Sequence, residues 1–263
     1  MSTDLEHYEQ YGYLLKRQFF SSDEIEKLKS TVNRVYQQWQ QANGDDLKKW
    51  QLVTMAGLTD CIYFDSSDQR ASFFSSLSPT HLVDLTAELF GTHIHFHNSQ
   101  LFFNPQNINK PPYWHRDMQY DKTPDAEQAA ELKDMLSLHV RIPLLAERGL
   151  ELIPGTHRRW DTTLEHQVRL ELDGHRNSED LPDSILLSLQ PGDLVIFHAQ
   201  MIHRGNYALN NSRLALDLCI GKAHRLTTPH INAEYMPTDS ELKLIDETRW
   251  YDRSLQLLKE RAD

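Results

Sequence analysis

His115 and Asp117 stand one residue apart in Tyr113-Trp114-His115-Arg116-Asp117-Met118-Gln119-Tyr120. An imidazole and a carboxylate so spaced, where a chain bends, can close on one cation. Two imidazoles and a carboxylate on one side of an octahedron, with three positions open opposite, suit non-haem iron(II); the same donors suit catalytic zinc. The third donor must come from far along the chain, and Phe197-His198-Ala199-Gln200-Met201-Ile202-His203 offers two candidates. His198 continues an apolar run and fits a packed role. His203 lies in a polar stretch with Gly205 and Asn206 that can bend toward a metal, which favours it. His93, His95 and His97 alternate in Thr92-His93-Ile94-His95-Phe96-His97 and would share one face of a strand. Three donors in a straight line do not wrap an ion, so this row reads as the polar face of a half-buried strand. Arg213 opens a later apolar run. A guanidinium on an inward face is costly unless it meets an anion, and its planar fork matches a carboxylate.

The elements that must position these groups leave clear periodic marks. Ser21 and Glu24 form a capping box, Phe20 and Ile25 a hydrophobic staple, and Ile25, Leu28, Val32, Val35 and Trp39 follow at helical spacing. Ser78 as N-cap, Pro79 as first helical residue and Gly91 past the end predict a second helix, and Thr123-Pro124 a third. The period then changes to two: Leu136, Leu138, Val140, Ile142 and Leu144 alternate with Ser137, His139 and Arg141, a strand with one apolar face. The strands Ser184–Leu189 and Leu194–Phe197 meet across the turn Gln190-Pro191-Gly192-Asp193, and Asn210-Asn211-Ser212 turns into Leu214–Leu218. Leu244, Tyr251, Leu255 and Leu258 share a face of a C-terminal helix, and the polar stretch from Asp161 to Asp183 reads as a surface excursion or lid. The expected fold is mainly β with flanking helices, a barrel or jelly roll. One domain spans 1–263, with a helical part over about 1–91, a β core over about 92–220 and a helical extension over about 221–263.

Composition narrows the class further. Two cysteines, Cys61 and Cys219, are too few for a disulfide framework and lack metal spacing, which fits a reducing cytoplasm. The polar, acidic start MSTDLEHYEQ differs from a signal peptide, and no apolar run reaches the length of a membrane span, so a soluble protein without a membrane partner is expected. A formal net charge of −11 argues against nucleic acid as a partner.

Taken in order, several motifs converge. They are Tyr11-Gly12-Tyr13-Leu14 before a helix, His115-x-Asp117, Gly149-Leu150-Glu151-Leu152-Ile153-Pro154-Gly155-Thr156-His157, Pro191-Gly192-Asp193 with Phe197-His198, then His203 and Arg213. With them the chain resembles the phytanoyl-CoA dioxygenase family of iron(II)- and 2-oxoglutarate-dependent oxygenases over about residues 5–220. The resemblance implies a double-stranded β-helix (jelly-roll, cupin-like) core. It implies Fe(II) held by His115, Asp117 and His203, and the distal carboxylate of 2-oxoglutarate paired with Arg213, with Asn104 near the cosubstrate. It further implies hydroxylation of a small molecule with O2, releasing succinate and CO2. Two departures stand out: Arg116 occupies the place of a frequent glutamine, and Gly205 that of a frequent serine. Arg116, Arg141 and His157 could form a cationic wall, and Trp114 an aromatic one, for an anionic or zwitterionic substrate. Two other readings stay open. A zinc-dependent hydrolase would use the same three donors but leaves Arg213 without a job, and a non-catalytic binding protein would keep the fold without the chemistry.

Overall fold

A computed structural model of the protein describes residues 3–107 and 109–262. Helix α1 (Thr3–Tyr11) leads into β1 (Tyr13–Lys16), then α2 (Ser22–Trp50), β2 (Thr54–Ala56), α3 (Ser67–Leu77), α4 (Thr80–Phe90) and β3 (His95–Phe103). After α5 (Asp125–Glu131) come β4 (Ser137–Pro143), β5 (Glu147–Leu152), α6 (Thr163–Arg169), β6 (Ile185–Leu189), β7 (Leu194–His198), β8 (His203–Gly205) and β9 (Leu214–Gly221). The chain closes with α7 (Asp239–Leu242) and α8 (Arg249–Ala262). Two antiparallel sheets result, of strand order β1-β7-β4-β9-β3-β2 and β6-β5-β8.

Strand parity decides what each face of the larger sheet does. Leu138, Val140 and Ile142 of β4 and Leu214, Leu216, Leu218 and Ile220 of β9 join one core with Leu28 and Val32 of α2, Phe73 and Phe74 of α3, Leu82 and Val83 of α4 and Trp250 and Tyr251 of α8. Each such side chain, fully buried, contributes roughly 1.5–3 kcal/mol. The alternate residues point the other way. In register, Arg141 pairs with Asp217 and Asp217 with Gln100, while His139 pairs with Cys219 and Cys219 with Asn98. The smaller sheet covers part of this face: Leu150, Leu152, Leu187 and Leu189 pack on Val195, Phe197 and Met201. The polar layers beside that contact are left to line a cavity between the sheets.

Several local expectations change in three dimensions. The capping box of α2 forms, with the Ser21 N–H donating to Glu24 at 2.8 Å. Ser78 does not cap α4; it closes α3, and Pro79 takes the N-cap position. The serines scattered through SDQRASFFSSL blur the apolar stripe of α3, which is buried all the same at Phe73, Phe74 and Leu77. Strands β6 and β7 do not pair across Pro191-Gly192-Asp193; the turn carries the chain from one sheet to the other. The 222–248 stretch consists mainly of short turns, with Leu244 half exposed and outside α8. His93 is exposed and precedes β3, and a bulge between Phe96 and Asn98 breaks the row that His95 and His97 were expected to make. The 161–183 segment is anchored, since Val168 and Leu181 bury against Trp114, Ile153 and Ile202. Among the described residues no helix is long and apolar enough to cross a membrane.

Candidate metal centre

His115 and His203 are joined through their backbones, each N–H donating to the other's carbonyl at 3.0 Å in an isolated antiparallel bridge. That bridge sets the two rings 4.2 Å apart, and Asp117 follows at the start of a short 3₁₀ turn. His203 therefore sits on β8, not in the loop that the sequence suggested. The Nδ1 of His115 lies 3.2 Å from the Tyr113 carbonyl and the Nδ1 of His203 2.9 Å from the Met201 carbonyl. A carbonyl can only accept, so each Nδ1 carries the proton and each Nε2 keeps its lone pair. Those Nε2 atoms lie 3.8 and 3.4 Å from Asp117 Oδ1, and one ligand atom from each of the three residues falls within 4.8 Å of the others. Two neutral imidazole nitrogens and a carboxylate oxygen so gathered fit one divalent transition metal. Burial, then neighbouring His115, lowers His203 to about 3; burial also lowers His115, so both stay neutral donors. Burial would raise Asp117, but His139, His203 and His115 hold it well below the usual carboxylate range.

From Asp117 a line of alternating charges runs across the inner face of the larger sheet. His139 Nε2 is 2.6 Å from Asp117 Oδ2, and its Nδ1 is 3.2 Å from Asp217 Oδ2. Arg141 donates from Nη1 to Asp217 at 3.1 Å and from Nε and Nη2 to Glu147 at 2.9 and 2.5 Å. Glu147 in turn accepts Arg213 Nε at 2.6 Å. Burial would lower His139, but Asp117 and its neighbours raise it well above the ordinary imidazole value. Burial would raise Glu147, but Arg141 and Arg213 bring it to about 2. The Arg213 guanidinium lies 5.6 Å from the ring centres of Phe102 and of Tyr207, and its buried Nη1 has no hydrogen-bond partner among the described residues. His115, Asp117, His203, Arg141 and Arg213 all line one cavity of about 250 Å³.

The sequence matches the phytanoyl-CoA dioxygenase (PhyH) family over residues 8–213. The chain belongs to that family. Among curated proteins none matches it. Solved structures show the same fold at low identity. EctD from S. alaskensis, solved with 2-oxoglutarate and 5-hydroxyectoine, is 16% identical with a TM-score of 0.55, over 84% of this chain and 76% of that one. HygX from Streptomyces hygroscopicus, with nickel and 2-oxoglutarate bound, is 11% identical with a TM-score of 0.61, over 85% and 87%. SnoK, an alpha ketoglutarate dependent carbocyclase from nogalamycin biosynthesis, is 13% identical with a TM-score of 0.56, over 85% and 84%.

In this phytanoyl-CoA dioxygenase family member the remaining expected site residues lie elsewhere or are already engaged. Arg116 is fully buried; it donates to Asp161 at 2.8 Å and to the carbonyls of Thr156, Gln200 and Arg159, away from the cavity. Trp114 is buried too, its Nε1 donating to the Glu179 carbonyl. His157 lines a separate cleft with Tyr8 and His198. Asn104 donates to the Asn210 carbonyl and faces another hollow. Arg141 does line the cavity, with its donors spent on Glu147 and Asp217. No cationic wall for an anionic substrate is formed by these residues. His198 keeps a packed role, with Nε2 2.9 Å from the Met135 carbonyl and Nδ1 accepting the Gln200 N–H. His139, Glu147, Asp217, Phe102 and Tyr207 were not foreseen. For His139 and Arg141 the signal was present, since they are the polar alternates of an otherwise apolar strand; Asp217 is the single acid within Leu214–Gly221.

Proposed function

We propose that this protein is an iron(II)- and 2-oxoglutarate-dependent dioxygenase that hydroxylates a small, polar molecule inside a single double-stranded β-helix domain. One observation carries the reading: the His115–Asp117–His203 cluster shares its cavity with a buried arginine whose Nη1 has no hydrogen-bond partner among the described residues. A buried guanidinium edge without an acceptor is costly, and a carboxylate is the acceptor its fork matches. His115, Asp117 and His203 would hold the metal. When bound there, the metal supplies dioxygen activation coupled to decarboxylation of 2-oxoglutarate to succinate and CO2. Arg213 would receive the distal carboxylate, with the rings of Phe102 and Tyr207 beside the guanidinium shielding the pair from water.

Charge parity supports a dianionic cosubstrate and an uncharged substrate. Asp117, Asp217 and Glu147 are offset by His139, Arg141 and Arg213, leaving the wall neutral. A divalent cation and a dianion added together keep it neutral. A second recess of about 250 Å³ shares Gln100, Asp117, Tyr120 and His139 with the first and is lined further by His97, Asn98, Thr227 and His230. Burial lowers His97, so it meets a ligand as a neutral imidazole. That recess also carries the Asp121 carboxylate, 3.2 Å from His230 Nε2, and its polar groups offer hydrogen bonds, which suits a small neutral substrate rather than an anionic one.

Anaerobic titration of iron-loaded protein with 2-oxoglutarate tests the reading. A weak visible charge-transfer band is expected, and it should vanish in His203→Ala. Folded protein that retains iron and gives no band refutes the oxygenase, and stoichiometric zinc with no response to 2-oxoglutarate would favour the hydrolase.

A further inference from the structure

Glu147 presents a paradox at this site. It is fully enclosed, carries a negative charge, and stands directly behind the arginine that would receive an anion. On charge alone it opposes a dianionic ligand. Its geometry suggests another use. Glu147 Oε1 accepts Arg213 Nε at 2.6 Å and Arg141 Nη2 at 2.5 Å, while Oε2 accepts Arg141 Nε at 2.9 Å. The Arg141 fork therefore fixes the carboxylate, and the carboxylate fixes one edge of Arg213. The rings of Phe102 and Tyr207 each lie 5.6 Å from that guanidinium, and Gly205 leaves room beside it, since a Cβ there would stand 2.9 Å from both terminal nitrogens. Among the described residues the buried Nη1 of Arg213 has no hydrogen-bond partner.

We propose that Glu147 is a positioning residue for the cosubstrate: by holding Arg213 at Nε, it turns the Nη end toward the cavity in the orientation that accepts a distal carboxylate. This rests on the 2-oxoglutarate reading above. The two roles open to Glu147 have opposite signs. If it only adjusts charge, removing it tightens binding of a dianion; if it orients Arg213, removing or shortening it loosens binding. Glu147→Asp keeps the charge but makes the side chain one methylene too short to reach both arginines, so it isolates the geometric part.

The experiment measures, by calorimetry on anaerobic metal-loaded protein, the affinity of 2-oxoglutarate and of 2-oxobutyrate, which has the same 2-oxo acid end without a distal carboxylate. Wild type should prefer 2-oxoglutarate. Glu147→Gln and Glu147→Asp should each weaken 2-oxoglutarate by about tenfold or more, and 2-oxobutyrate by less than about twofold. The retained 2-oxobutyrate affinity shows that each variant is folded. In an Arg213→Ala background, Glu147→Gln should add nothing, because the interaction it supports is already gone. Equal losses for both acids, unchanged or tighter 2-oxoglutarate binding, or failure of both variants to fold would each overturn the positioning role. Wild type that binds the two acids equally would instead refute the cosubstrate reading, and this inference with it.

Discussion

His139 Nε2 stands 2.6 Å from Asp117 Oδ2, the oxygen of that carboxylate that is not shared with His115 and His203. A metal ligand held from behind in this way keeps its orientation, and such supporting contacts commonly govern affinity about 10–100-fold. His139→Ala is therefore expected to weaken metal binding by about that factor while leaving the three donors in place. Competition against a chromogenic chelator reads the change; an affinity equal to wild type would show that His139 does not orient Asp117.

Opposed histidines give the metal-free protein a pH optimum. Burial lowers His95, His198 and His203 to about 3, about 4 and about 3, whereas an unfolded imidazole takes its proton near pH 6.5 or so, roughly the ordinary value. As pH falls below that value, the unfolded chain binds protons that the folded chain refuses, and stability drops. His139 works in the other direction. Burial would lower it, but Asp117 raises it well above the ordinary value, so its contribution is complete below that value and is lost as pH rises through the raised one. Thermal midpoints should peak at about pH 6.5 and fall on both sides, with His139→Gln flattening the alkaline limb. A midpoint that climbs steadily into the alkaline range would contradict this balance.

Gly205→Ala tests the room beside Arg213. The new Cβ would stand 2.9 Å from Nη1 and Nη2, and the guanidinium, held at Nε by Glu147, must shift its Nη end to make room. Cosubstrate KM should rise by about tenfold with little change in the thermal midpoint. A KM within error of wild type would mean that Arg213 tilts without consequence.

Arg116→Ala separates structure from substrate binding. Its guanidinium meets Asp161, itself 1% exposed, and Arg169 holds the same carboxylate at 2.8 Å. Loss of one partner of a buried pair commonly costs several kcal/mol; with Arg169 remaining, about 3 kcal/mol is expected. The affinity for 2-oxoglutarate should stay unchanged in the folded variant. Denaturant unfolding and calorimetry together check both halves, and a stable variant with impaired binding would return Arg116 to the site.

The candidate metal donors are legible in the sequence because their residue types and order suit that chemistry, and the backbone bridge between His115 and His203 brings together what the motif spacing named. The preference for His203 over His198 agrees with the geometry, although the stated reason, a flexible loop, does not, since a short strand holds it. The resemblance implies Asn104 near the cosubstrate, and position in or beside the motifs suggests Arg116, Trp114 and His157 for the substrate, whereas the structure engages each of the four elsewhere. Proximity along a chain does not fix direction: Arg116 lies between two site residues and still points into a different cluster.

Alone, the sequence determined the candidate donor set, the arginine expected to face inward and the two-residue rhythm of β4, because residue chemistry and strand parity are local properties. Tertiary structure alone decided that the polar side of that rhythm lines a cavity, and which acid neutralises which arginine. Arg141 meets Asp217 across 76 residues and Arg213 meets Glu147 across 66. Those pairings follow from the order of strands and from how the second sheet closes over the first, and no local pattern encodes either.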